Sequence, residues 1–62
     1  MEDKPTILIV DDQNSDRESL ARILRREGYP YIEADAAFPA IEAVKTRDIS
    51  LILLDLGLPD IN

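Results

Sequence analysis

ILIVDD at residues 7–12, matched farther along by LILLD at residues 51–55, decides how this chain folds. Each is a short aliphatic run without polar alternation, and each stops abruptly at aspartate. Thr6 extends the first run, so a strand is expected over 6–10; Ile49 and Ser50 introduce the second, expected over 51–54. Continuous apolar runs of this length suit strands covered on both faces, as in a parallel sheet. A third, weaker strand is expected over 31–34. There the preceding Pro30 and the polar Glu33 point to an edge position.

The segments between these runs read as helices. Over 15–27, Ser15 and Glu18 have the spacing of a capping box, in which hydroxyl and carboxylate satisfy free amides at the helix start. Leu20, Ile23 and Leu24 then form the apolar face, with Arg17, Arg22, Arg25 and Arg26 mostly elsewhere. Gly28 follows directly and suits a left-handed terminator. A second helix is expected over 37–46. Ile41 and Val44 make its apolar stripe, Ala40 and Ala43 allow close approach, and Pro39 falls in the first turn.

Strand, helix, strand, helix, strand implies right-handed parallel crossovers and half of a doubly wound α/β sheet, whose strand order reverses between the first and third strands if that order is 2-1-3. Ligands of such sheets bind beyond the carboxyl ends of the strands, where strand order reverses. Asp11 and Asp12 stand there at the end of the first strand, and Asp55 at the end of the third.

Composition limits what these carboxylates can do. The 62 residues include no Cys and no His, so disulfides, thiolate chemistry and imidazole ligands are excluded. Any metal must be a hard cation held by oxygen. Thirteen acids against seven bases give a net charge of −6, which disfavours direct nucleic-acid binding. The local cluster Arg22, Arg25 and Arg26 is flanked by Glu18 and Glu27 and reads as a solvated helix face. No stretch approaches the ~20 apolar residues of a membrane span, and the N-terminus does not read as a secretory signal. A cytoplasmic setting is expected. So short a chain buries only about 60% of its unfolded surface, which leaves little margin of stability.

An aspartate that ends a strand can simply shape a turn, and Asp12 alone reads that way. The pair together with Asp55, each following an apolar β run, favours a cation site instead. Like charges about 4 Å apart repel by a few kcal/mol at an effective dielectric near 20, which invites a divalent ion. Mg²⁺ suits an oxygen-only site and neutralises charge on a transferring phosphoryl group. An aspartate among these carboxylates can serve as nucleophile and become an acyl phosphate.

ILIVDD, Gly28-Tyr29, Glu33-Ala34 and LILLDLGLPD, in register over residues 6–62, together resemble the receiver domains of two-component response regulators. The resemblance implies a flavodoxin-like fold, with Asp55 as phosphoacceptor and Asp12 as the direct acidic ligand of Mg²⁺. Asp11 would hold the ion mainly through water, the Gly57 carbonyl would complete the shell, and Pro59 would shape the following loop. It also implies a sensor histidine kinase or phosphotransfer protein as donor, docking near the first helix.

Receivers have five strands, and residues 1–62 correspond to strands 1–3 and helices 1–2. The Ser/Thr of the fourth strand and the Lys of the fifth have no counterpart here, and Lys4 and Lys45 lie on the wrong side of the topology. Ala37 stands where the family often has Gly. In a 2-1-3 sheet the apolar third strand is an unpaired edge, so self-association through it is expected. An alternative is therefore a non-catalytic interaction or self-assembly piece. A phosphatase with an Asp nucleophile fits poorly, because the chain reads Asp11-Asp12-Gln13-Asn14 rather than Asp-x-Asp followed by Thr or Val. No Gly-x-Gly follows the first strand, which argues against dinucleotide binding.

Overall fold

The computed structural model describes residues 4–55. Strand β1 (Ile7–Val10) lies at the centre, with β2 (Tyr31–Ala34) and β3 (Leu51–Leu54) parallel to it on either side, in the order β2-β1-β3. Helix α1 (Asn14–Glu27) connects β1 to β2, and α2 (Ala37–Thr46) connects β2 to β3. The expected sheet order and all five elements are present.

Side chains of β1 alternate between two cores. Leu8 and Val10 pack with Ala34, Ala37 and Ala40 on the α2 side, while Ile7 and Ile9 pack with Ala21 and Leu24 on the α1 side. All four β1 residues are buried, Leu8 and Ile9 completely. Each fully buried aliphatic side chain contributes about 1.5–3 kcal/mol relative to exposure, so β1 is the main hydrophobic element.

The start of α1 departs from the capping box. Its N-cap is Gln13, without a side-chain cap bond, and Ser15 lies inside the first turn. The carboxylate of Asp11 accepts the Gln13 amide at 2.9 Å, a local turn that lets the helix begin before Ser15. Arg17 N–H then closes the first turn on the Gln13 carbonyl at 3.0 Å. Glu18, freed from capping, reaches forward to Arg25 at 2.7 Å. That guanidinium, as hydrogen-bond donor and as charge, holds the Glu18 carboxyl below its ordinary range.

The end of α1 follows expectation. Gly28 has φ 79°, and two bonds, Tyr29 N–H to Leu24 O at 2.9 Å and Gly28 N–H to Arg25 O at 3.1 Å, form a Schellman motif. Lys4 donates to the Glu27 carbonyl and lies 4.6 Å from the centre of the Tyr29 ring.

Two expected apolar faces differ in detail. On α1, Ala21 and Leu24 are buried whereas Ile23 is exposed. On α2, Ala37 and Ala40 make the close contact with β1, and Ile41 and Val44 remain about half exposed. Small residues let α2 settle onto Leu8 and Val10, which turns Ile41 and Val44 towards an open groove. That groove, about 410 Å³, runs between α2 and β3 and is also lined by Ile52 and Leu54.

Candidate metal and phosphoacceptor site

Register builds this site. Val10 is level with Ala34 of β2 and Leu54 of β3, so the next residue of each strand, Asp11, Asp35 and Asp55, reaches the carboxyl edge together. Main-chain bonds carry the alignment past the strands: Asp11 N–H donates to Ala34 O at 3.1 Å, and Asp55 N–H to Val10 O at 2.8 Å.

One carboxylate oxygen from each of Asp11, Asp12 and Asp55 lies within 4.8 Å of the others. Asp11 and Asp55 are half-buried and Asp12 is exposed. At that separation, each pair of ionised carboxylates repels by at least about 3 kcal/mol at an effective dielectric near 20. The donors are oxygen only, partly withdrawn from water, and come from two adjacent strands. Such a set fits a hard divalent cation such as Mg²⁺. A cleft of about 320 Å³ opens beside it, lined by Val10, Asp11, Leu20, Leu53, Leu54 and Asp55.

The other expected residues are accounted for differently. Gly57 and Pro59 lie outside the described residues. Lys4 is engaged at the end of α1, and Lys45 sits on α2, 3.8 Å from Glu42. Neither belongs to the acidic cluster, in keeping with the expected topology. Asp35 shares the strand-end register but is outside the cluster, and it lines a separate polar cleft with Arg17, Glu33 and Pro39.

The sequence pattern set Arg17 off the apolar face of the first helix, and the structure places it differently. Its side chain is only 16% exposed. Nη1 donates to the Asp11 carbonyl at 2.7 Å, Nε to Glu33 at 3.3 Å, and Nη2 to the Asn14 carboxamide. A signal was present: Arg17, Ala21 and Leu24 share i, i+4, i+7 spacing, so Arg17 continues the buried stripe of α1 towards the site.

Comparison with known proteins agrees with this geometry. Residues 7–62 match the family model described as the response regulator receiver domain. The chain is 36% identical over 58 residues to the aerobic respiration control protein ArcA of Escherichia coli K12, covering 94% of this chain and 24% of that protein. It is 30% identical over 56 residues to the cell cycle transcriptional regulator CtrA of Caulobacter vibrioides, covering 90% and 24%. It is also 31% identical over 55 residues to the CAI-1 autoinducer sensor kinase/phosphatase CqsS of Vibrio cholerae, covering 89% and 8%. The chain thus spans a quarter or less of each of these relatives. No solved structure gives a significant match. With strand order, strand-end carboxylates and family model in agreement, the chain belongs to the response regulator receiver domain family of two-component signal transduction.

Proposed function

We propose that this chain acts in phosphorelay signalling by accepting a phosphoryl group on Asp55, with Mg²⁺ held by Asp11, Asp12, Asp55 and the Gly57 carbonyl. The observation that carries the reading is the convergence of three carboxylate oxygens within 4.8 Å at the carboxyl edge of the sheet. The family is one of regulatory phosphoacceptors. The donor would be a phosphohistidine on a sensor histidine kinase or phosphotransfer protein, in a cytoplasmic setting. Among the described residues, no helix is long and apolar enough to cross a membrane.

In the transfer, a carboxylate oxygen of Asp55 forms the O–P bond as the P–N bond to the donor imidazole breaks. The electron pair returns to the imidazole nitrogen, and no water is consumed. Mg²⁺, when bound, supplies neutralisation of charge on the phosphoryl oxygens. Asp11 and Asp12 would hold that cation through their carboxylate oxygens, and main-chain bonds from Asp11 and Asp55 fix both strand ends. We assign residues 1–62 to the strand 1–3 half of a receiver domain.

A phosphodonor test is direct. Incubation with acetyl phosphate and Mg²⁺ should add one phosphoryl group by intact mass, in wild type and not in Asp55→Asn. A folded wild-type sample that gains no mass, and shows no metal-dependent change with beryllofluoride, would refute phosphoacceptance by this chain.

A second reading is favoured by one observation: Leu51, Ile52 and Leu54 on edge strand β3 are 51%, 45% and 53% exposed. On that reading the chain is a receiver-like interaction or self-assembly piece, and β3 pairs with another strand. It requires that Asp55→Asn leave oligomeric state unchanged, and a sedimentation shift caused by that substitution would count against it.

A further inference from the structure

We infer that Arg17 is a positioning residue of the acidic site, clasping the β1–α1 loop so that Asp11 and Asp12 face Asp55. Every main-chain hydrogen-bonding group of Asp11 is engaged. Its N–H is held by Ala34 O, and its carbonyl by Arg17 Nη1 at 2.7 Å. The Asp11 carboxylate in turn accepts the Gln13 amide at 2.9 Å. Of these three partners only Arg17 is a side chain, and it is the one that ties the loop to both α1 and β2.

Geometry and charge both favour this role. A guanidinium is a rigid fork of donors, so a single side chain can hold the Asp11 carbonyl, the Asn14 carboxamide and the Glu33 carboxylate at once. Glu33 lies on the edge strand and faces Arg17 at 3.3 Å. The Arg17 side chain, 16% exposed, continues the helical stripe of Ala21 and Leu24. Arg17 therefore acts on the cation through the placement of Asp11 and Asp12 rather than by contact with it. Outer partners that orient metal ligands typically change metal affinity by about 10–100-fold when removed.

The Mg²⁺ part of the test rests on the cation-site reading above; the metal-free part does not. Mg²⁺ is titrated into the ¹⁵N-labelled 62-residue chain as wild type, Arg17→Met and Glu33→Gln. Methionine keeps the apolar stem and removes every donor. We expect Arg17→Met to weaken Mg²⁺ binding about tenfold, with amide positions of Ile7–Val10 and thermal midpoint retained. Glu33→Gln, which keeps the clasp on the Asp11 carbonyl, should leave affinity within about twofold. Wild-type affinity in folded Arg17→Met, or an equal loss in Glu33→Gln, overturns the inference. If Arg17→Met does not fold, Arg17→Met combined with Glu33→Met replaces the ion pair by an apolar pair and is judged by the same tenfold criterion.

If the wild type takes up no Mg²⁺, the cation reading fails and the clasp is judged without metal. Hydrogen exchange at the Gln13 amide should accelerate in the Arg17 variant while β1 amides keep their protection. Unchanged Gln13 protection overturns the inference independently of any ion.

Discussion

The two flanks of β1 share one register and differ in what covers them. Ile7–Val10 pairs with Tyr31–Ala34 on one side and with Leu51–Leu54 on the other, residue for residue. The β2 flank carries a glutamate and two partly buried residues, yet Ala34 there is buried beneath α2. The β3 flank is wholly aliphatic, and three of its four residues are exposed. Apolar content and coverage thus run in opposite directions across the sheet. What separates them is helix placement: α1 and α2 both pack over β1 and β2, leaving β3 without a helix of its own among the described residues.

The difference is tested first in the core. Leu8→Ala, on the fully buried central strand, should cost about 2–5 kcal/mol and abolish the cooperative urea transition of so small a fold. Leu54→Ala, on the exposed flank, should shift the same transition far less. Equal losses would mean that β3 is as well packed as β1. Next, Ile52→Lys places a charge on the groove side of β3. We expect it to lower the sedimenting mass of any self-associated wild-type sample to that of a monomer while far-UV circular dichroism is retained. Persistence of the larger species would place association on another surface.

At the opposite end of the sheet, Gly28→Ala puts a β-carbon on a residue at φ 79°. The left-handed conformation costs a non-glycine residue about 1–2 kcal/mol, read as a lower urea midpoint. Lys4 Nζ, 3.6 Å from the added atom, is at ordinary contact distance, so the penalty is conformational rather than steric. The smallest effect is at Glu18. Its carboxyl is held below the ordinary value of 4.5 by the hydrogen bond and charge of Arg25. A depressed folded-state pKa contributes stability above the unfolded value, and that contribution disappears as pH falls through the folded one. In a ¹³C titration, the Glu18 midpoint should rise towards the ordinary value in Arg25→Gln; an unmoved midpoint would show that the pair is not formed in solution.

Much of this was legible in the residues. The aliphatic runs at 7–10 and 51–54 dictated parallel strands, although only the first is buried, and their terminal aspartates marked the candidate site, because strand ends in such sheets face the ligand edge. Gly28 announced the end of α1 because few other residues accept its backbone angles. The helix start was misread because two local hydrogen-bond solutions compete. Ser15 could cap through Glu18, yet the Asp11 carboxylate takes the Gln13 amide first and Glu18 goes to Arg25. Ile41 and Val44 were read as the inward apolar stripe of α2 because of their i, i+3 spacing. Packing instead selected Ala37 and Ala40, whose size lets the helix approach β1. Arg17 was grouped with its neighbours by charge, although its spacing from Ala21 and Leu24 put it on the inward stripe. Identity alone conceals such a residue, and periodicity reveals it.

The reading of the carboxyl edge as a cation site is tested most directly by an Mg²⁺ titration followed at the amides of Asp11, Asp12 and Asp55. We expect these three to shift together and saturate with one dissociation constant, and Asp12→Asn to weaken that constant. Absence of any saturable shift in a folded sample at millimolar Mg²⁺, or shifts confined to the exposed acids of α1 and α2, would contradict it.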